Sequence, residues 1–154
     1  MWPWRQSSHL SPRKVSKNME KNIVELFEAA KEIQSRAYAP YSKFKVGAAF
    51  RLKTGEIVTG HNVENASYGA TVCAERVGLF NALSLHKSQD FESLLIVTDT
   101  ETGDLPCALC LQVLSEFVSP DLPIYSANKD EIKRSFIFEE LLPFPFNKAN
   151  LRKS

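Results

Sequence analysis

The sequence predicts an α/β domain, a three-layer α/β/α sandwich around a mixed sheet of about five strands. Three observations carry this. From residue 19 onward, segments with the three-to-four apolar spacing of helices alternate with short strand-like segments, the pattern of helices layered on a sheet. Leu94 to Thr98 (LLIVT) is a continuous apolar run, which suits a central strand covered on both faces. The connectors at Thr54-Gly55 and across Ala127 to Arg134 are too short for a helical crossover, so they join antiparallel neighbours.

Taken in order, residues 1 to 18 read as a loose, flexible extension, with Ser, Pro and basic residues and no acid. Pro3 and Pro12 argue against the amphipathic helix of a transit peptide. Residues 19 to 154 form one domain, long enough for a single core. Ile23, Leu26, Phe27, Ala30, Ile33 and Ala37 predict a helix over Glu20 to Ala37, ended by Ala39-Pro40. Phe44 to Lys53 alternates, placing Val46, Ala48, Phe50 and Leu52 on one face, and predicts a half-buried strand. Thr54-Gly55 turns it into a second strand over Glu56 to Gly60.

His61 to Thr71 reads as an ordered polar loop feeding a helix from Cys73 to Leu85. A central strand over Leu94 to Thr98 follows, then a turn-rich loop. A third helix runs from Cys107 to Val118, opened by Pro106. Two short strands are predicted near Pro123 to Ser126 and Ser135 to Phe138, then a helical turn and an extended tail over Glu139 to Phe146.

Composition removes several classes of function. A formal net charge of +1 implies no polyanionic partner, so no nucleic acid is expected. No stretch approaches the roughly 18 apolar residues that span a bilayer, and a cytoplasmic protein is the default expectation. The odd count of three cysteines, two of them spaced Cys-x-x-Cys, argues for reduced, metal-bound thiolates and against a disulfide framework.

Those cysteines carry the chemistry. Cys107 and Cys110 lie one helical turn apart, and Cys73 starts another helix across one intervening strand. Three protein ligands are the count of a catalytic metal site, which keeps a position for water, whereas structural zinc sites usually have four. Glu75 is placed to carry protons, and Arg76 to balance the sulfurs' charge. Alone, Cys-x-x-Cys is shared with redox motifs and zinc ribbons, and a glutamate at a helix start is simply a favourable charge. Jointly they point to a catalytic metal. His61 is the one candidate for a fourth, structural ligand and reads better as an ordinary strand-end residue.

The pattern Cys73-Ala74-Glu75 followed by Pro106-Cys107-x-x-Cys110 resembles the signature of zinc deaminases acting on cytosine or adenine. The chain is further similar to the short, homotetrameric class of cytidine deaminases from about Glu20 to Leu151. The resemblance rests on Pro40 to Ala49, Asn62 to Tyr68, Cys73 to Arg76, Pro106 to Cys110 with Gln112-Val113, and Glu140 to Pro143 leading to Phe146.

The resemblance implies one zinc ion per subunit on Cys73, Cys107 and Cys110, with Glu75 shuttling protons. It implies hydrolytic deamination of cytidine and deoxycytidine in pyrimidine salvage. Asn62 and Glu64 match positions that bind the ribose hydroxyls, and Phe44 and Ala74 fall in the substrate site. Phe146 matches an aromatic that reaches a neighbouring subunit's site in a homotetramer. The chain departs from the family at Ala108 and Leu111, where glycine and arginine are usual. Deamination of another aminated nucleoside or base analogue, and an inactive zinc-stabilised binding module, are the competing readings.

Overall fold

The computed structural model describes residues 17–85 and 90–151, and the predicted extension over residues 1–16 lies outside them. Five strands form one sheet in the order β2-β1-β3-β4-β5. They are β1 (Gly47–Leu52), β2 (Ile57–His61), β3 (Phe91–Val97), β4 (Pro123–Ala127) and β5 (Ile132–Ile137). The pairs β1–β2, β1–β3 and β4–β5 are antiparallel, and β3–β4 is parallel, so the sheet is mixed as expected. The helices are α1 (Lys17–Ser35), α2 (Ala74–Leu85), α3 (Ala108–Leu114), α4 (Phe138–Leu141) and α5 (Lys148–Leu151).

Two apolar layers follow from the two-residue period of the strands. Ala48, Phe50, Leu52, Leu94, Ile96 and Ile124 face one way, against Ala74, Leu79 and Ala82 of α2 and Leu111 and Leu114 of α3. Ala49, Leu95, Val97 and Ala127 face the other way, against Leu26 and Ala30 of α1. The apolar run in β3 is therefore consumed on both sides, which makes it a central strand. Full burial of a side chain such as Phe50 or Leu79 contributes roughly 1.5–3 kcal/mol relative to exposure.

β1 corrects one expectation. Its alternation predicts a half-buried strand, yet all six residues are buried. The reason is Arg51, whose guanidinium is covered by α1 and donates to the Asn22 and Gly55 carbonyls and to Glu25 Oε2 at 2.9 Å. A positive charge in the sequence reads as a solvent face; here the helix and the β1–β2 turn supply its partners instead.

Boundaries also move. The first helix starts at Lys17, two residues inside the predicted extension, and ends at Ser35. β1 begins at Gly47 because the Asn62 side chain takes the place of a ladder partner upstream, accepting from Val46 N and donating to Phe44 O. The third helix ends at Leu114, and a turn bonded back to that residue continues to Val118.

α2 approaches β2 more closely than any side chain permits. A Cβ at Gly60 would stand 2.1 Å from Gly78 N and 2.5 Å from Ala74 O. This contact sets the height of the α2 N-terminus over the sheet. Glu75 lies one residue beyond Ala74.

Candidate active site

Cys73 immediately precedes α2, and Cys107 is the N-cap of α3, its Sγ accepting from Cys110 N at 3.4 Å. The crossover between parallel strands β3 and β4 runs through α3, bringing its start beside that of α2. All three sulfurs consequently lie within 4.8 Å of one another, the only such group of three potential ligand residues found among the described residues. Cys110 is buried, Cys73 half-buried and Cys107 exposed. His61 stays at the end of β2 with Nδ1 against Asn62 O, outside the cluster.

Three gathered sulfurs are soft donors that suit zinc and leave one tetrahedral position open. The protein prepares them for it. Within the protein's own field the Cys73 thiol titrates below its ordinary range, first because Cys110 S–H bonds to it and then because Arg76 does. Cys110 is correspondingly pushed up, by that same bond and by burial. Arg76 Nη2 stands 3.6 Å from Cys73 Sγ and 3.2 Å from Thr71 O, so a cation is held against the sulfur cluster.

Glu75, in the first turn of α2, is 4% exposed. Burial is the main cause that pushes its carboxyl up to about 7, with the Cys73 charge adding to it. A carboxyl that binds and releases a proton near neutrality is what proton transfer to and from a substrate requires. Ala74 beside it is fully buried under the sheet edge at Gly60.

Upstream lies a hollow of about 340 Å³ lined by Tyr41, Ser42, Glu64, Tyr68 and Thr71. Thr71 links it to the sulfurs through Arg76. Glu64 Oε2 accepts from Tyr41 N at 2.9 Å and Ser42 N at 3.2 Å, and Oε1 accepts from the Ser42 hydroxyl. These bonds hold its carboxyl below the usual range, the Ser42 hydroxyl most of all. Ser42 Oγ in turn accepts from Phe44 N at 3.0 Å. Asn62 and Glu64, just after β2, are thus brought together against one loop, 41–46, with their side chains engaged by its backbone. Phe44 is 38% exposed at the end of that loop.

Phe146 sits apart from this loop. Its backbone is gripped by one carboxamide, with Gln112 Nε2 donating to Phe146 O at 2.7 Å and Phe146 N donating to Gln112 Oε1 at 3.2 Å. The residue remains 59% exposed, so the tail is tied to α3 while Phe146 stays open to solvent. Sequence reasoning assigns no role to Ser42 or Gln112, although both fall inside quoted motifs. Small polar residues signal nothing until their partners are known.

Residues 20–126 match the model of the cytidine and deoxycytidylate deaminase zinc-binding region. The chain is 40% identical to cytidine deaminase of Sporosarcina psychrophila over 131 residues, 84% of this chain and 95% of that one. It is 39% identical to cytidine deaminase of Halalkalibacterium halodurans over 126 residues, covering 82% and 95%. Among solved structures it is similar to cytidine deaminase from Burkholderia pseudomallei, with a TM-score of 0.75, 42% identity, and coverage of 80% of this chain and 98% of that one. Sequence, sheet order and the gathered sulfurs agree, and on these grounds the chain belongs to the cytidine and deoxycytidylate deaminase family.

Proposed function

We propose that the chain is a zinc-dependent hydrolase that converts cytidine and deoxycytidine to uridine and deoxyuridine with release of ammonia, in pyrimidine salvage. The observation that carries the reading is a buried glutamate two residues beyond a cysteine whose sulfur meets two others. Cys73, Cys107 and Cys110 would hold the zinc ion. When bound, it supplies Lewis-acid activation of water, lowering that water's pKa toward roughly 7.

Glu75 receives the proton that the attacking water must lose and passes it to a ring nitrogen of the pyrimidine. Ammonia then leaves after a further proton transfer by the same carboxyl. Arg76 offsets the charge of the sulfurs. Asn62 and Glu64 meet the ribose hydroxyls with an amide and a carboxylate that loop 41–46 already holds in place. Phe44 and Ala74 bound the base. Phe144, 93% exposed, and Phe146 form an apolar tail that docks on a second copy, so that a homotetramer completes each site. No helix among the described residues is long and apolar enough to cross a membrane.

The test is ammonia release from cytidine by the purified zinc-loaded protein, with Glu75→Gln as control. Wild type should turn over, and Glu75→Gln should lose on the order of 10²–10⁴ in kcat while keeping its metal. Zinc-loaded wild type with no release from cytidine would sink the substrate reading, and full activity in Glu75→Gln the mechanism.

A further inference from the structure

We infer that Asp104 is a positioning residue for the metal centre: its carboxylate staples the loop entering α3 to the ends of β3 and β4, and so fixes where Cys107 presents its sulfur. The inference rests on the three sulfurs being metal donors. Asp104 touches none of them and acts through the three-residue step to Cys107.

The loop has ten residues, 98–107, between the last residue of β3 and the first of α3. Surface loops of this length ordinarily wander. This one is tied at both side chain and main chain. Asp104 Oδ2 accepts from Thr98 Oγ1 at 2.8 Å and from Thr100 Oγ1 at 2.7 Å. Ser126 Oγ of β4 donates to the Asp104 carbonyl at 2.8 Å. Thr98 is 1% exposed and Ser126 is fully buried, so neither hydroxyl has water as an alternative partner.

Backbone packing makes the same tie from below. Thr98 N donates to Ala127 O at 3.1 Å, joining the strand ends. Gly103 adopts φ +64°, and a Cβ there would fall 2.6 Å from Ser126 Oγ and 3.1 Å from Ala127 N. The loop main chain therefore lies directly on the end of β4. Pro106 is buried, which leaves Cys107 at the rim of a clamped segment.

Groups that fix the orientation of a ligand matter nearly as much as the ligand, because a sulfur displaced by a fraction of an ångström costs the metal its tetrahedral geometry. Cys73 is set by α2 on β2, and Cys110 by the packing of Leu111 and Leu114 of α3 on the sheet; the approach to Cys107 at the start of α3 is set by this loop. A carboxylate that accepts two hydroxyl protons at one oxygen is well suited to the task. A carboxamide oxygen of the same shape accepts them more weakly.

The experiment measures zinc affinity by competition with a chromophoric chelator, and the visible absorption of the cobalt-substituted protein, in full-length wild type, Asp104→Ala, Asp104→Asn and Thr98→Val. Asp104→Ala should weaken zinc binding on the order of 10–100-fold and shift the cobalt bands. Asp104→Asn should recover most of both, and kcat should fall with KM little changed. If Asp104→Ala does not fold, Asp104→Asn and Thr98→Val carry the test, each with a smaller loss of affinity and a shifted spectrum. Variants of lowered melting temperature with wild-type affinity and cobalt spectrum overturn the inference and leave a loop staple only. A wild-type chain that binds no metal overturns the metal assignment as well, which separates the two failures.

Discussion

Single residues in this site are tuned by what surrounds them. Glu75 and Glu64 are both glutamates, yet burial raises one while hydrogen bonds to loop 41–46 lower the other. The sign for Glu64 follows from its partners: a carboxyl lowered in the folded state contributes stability above its unfolded value and loses it as pH falls through the folded one. Ser42 is the largest cause of the lowering. In Ser42→Ala, Glu64 should therefore titrate at higher pH, read by carbon-13 NMR of its side-chain carboxyl; an unchanged midpoint would refute the Ser42 contact.

At the scale of elements, the site depends on how closely α2 lies on the sheet. Gly60 and Gly78 meet backbone to backbone, and no flexible side chain stands between them to give way. Gly60→Ala should lift the α2 N-terminus, which carries Glu75. We expect a loss of at least about 3 kcal/mol in chemical denaturation, at the upper end of overpacking costs, and a lower kcat in whatever folds. A wild-type midpoint and rate would show that α2 has slack. By contrast α1, on the opposite face, touches none of the three sulfurs and holds the sheet through Leu26, Ala30 and the Arg51 contacts.

For the whole molecule, the exposed tail is the telling feature. Phe144 and Phe146 face solvent while Gln112 pins the backbone that carries them, an arrangement suited to presentation to another copy. Light scattering should give the mass of four chains. Phe146→Ala should raise KM about tenfold with kcat retained, a loss of roughly 1.4 kcal/mol of uniform binding. A monomer with wild-type KM after the substitution would exclude a shared site.

The sequence by itself determined the layered α/β class, two of the three antiparallel pairs (β1–β2 and β4–β5), the central strand and the clustering of Cys73, Cys107 and Cys110 beside Glu75. These follow from local periodicity, short connectors and the scarcity of cysteine, each readable within a few residues. Only the tertiary structure decided that β1 is buried on both faces, that β1 starts after Asn62 has occupied its approach, and that Asp104, Ser42 and Gln112 bond to Thr98 and Thr100, to Glu64 and to Phe146. The physical reason is common to all of them. A polar side chain's role lies in the partner it meets, and those partners, at Asn22, Phe44, Glu64, Ser126 and Phe146, reach it only when the chain has folded.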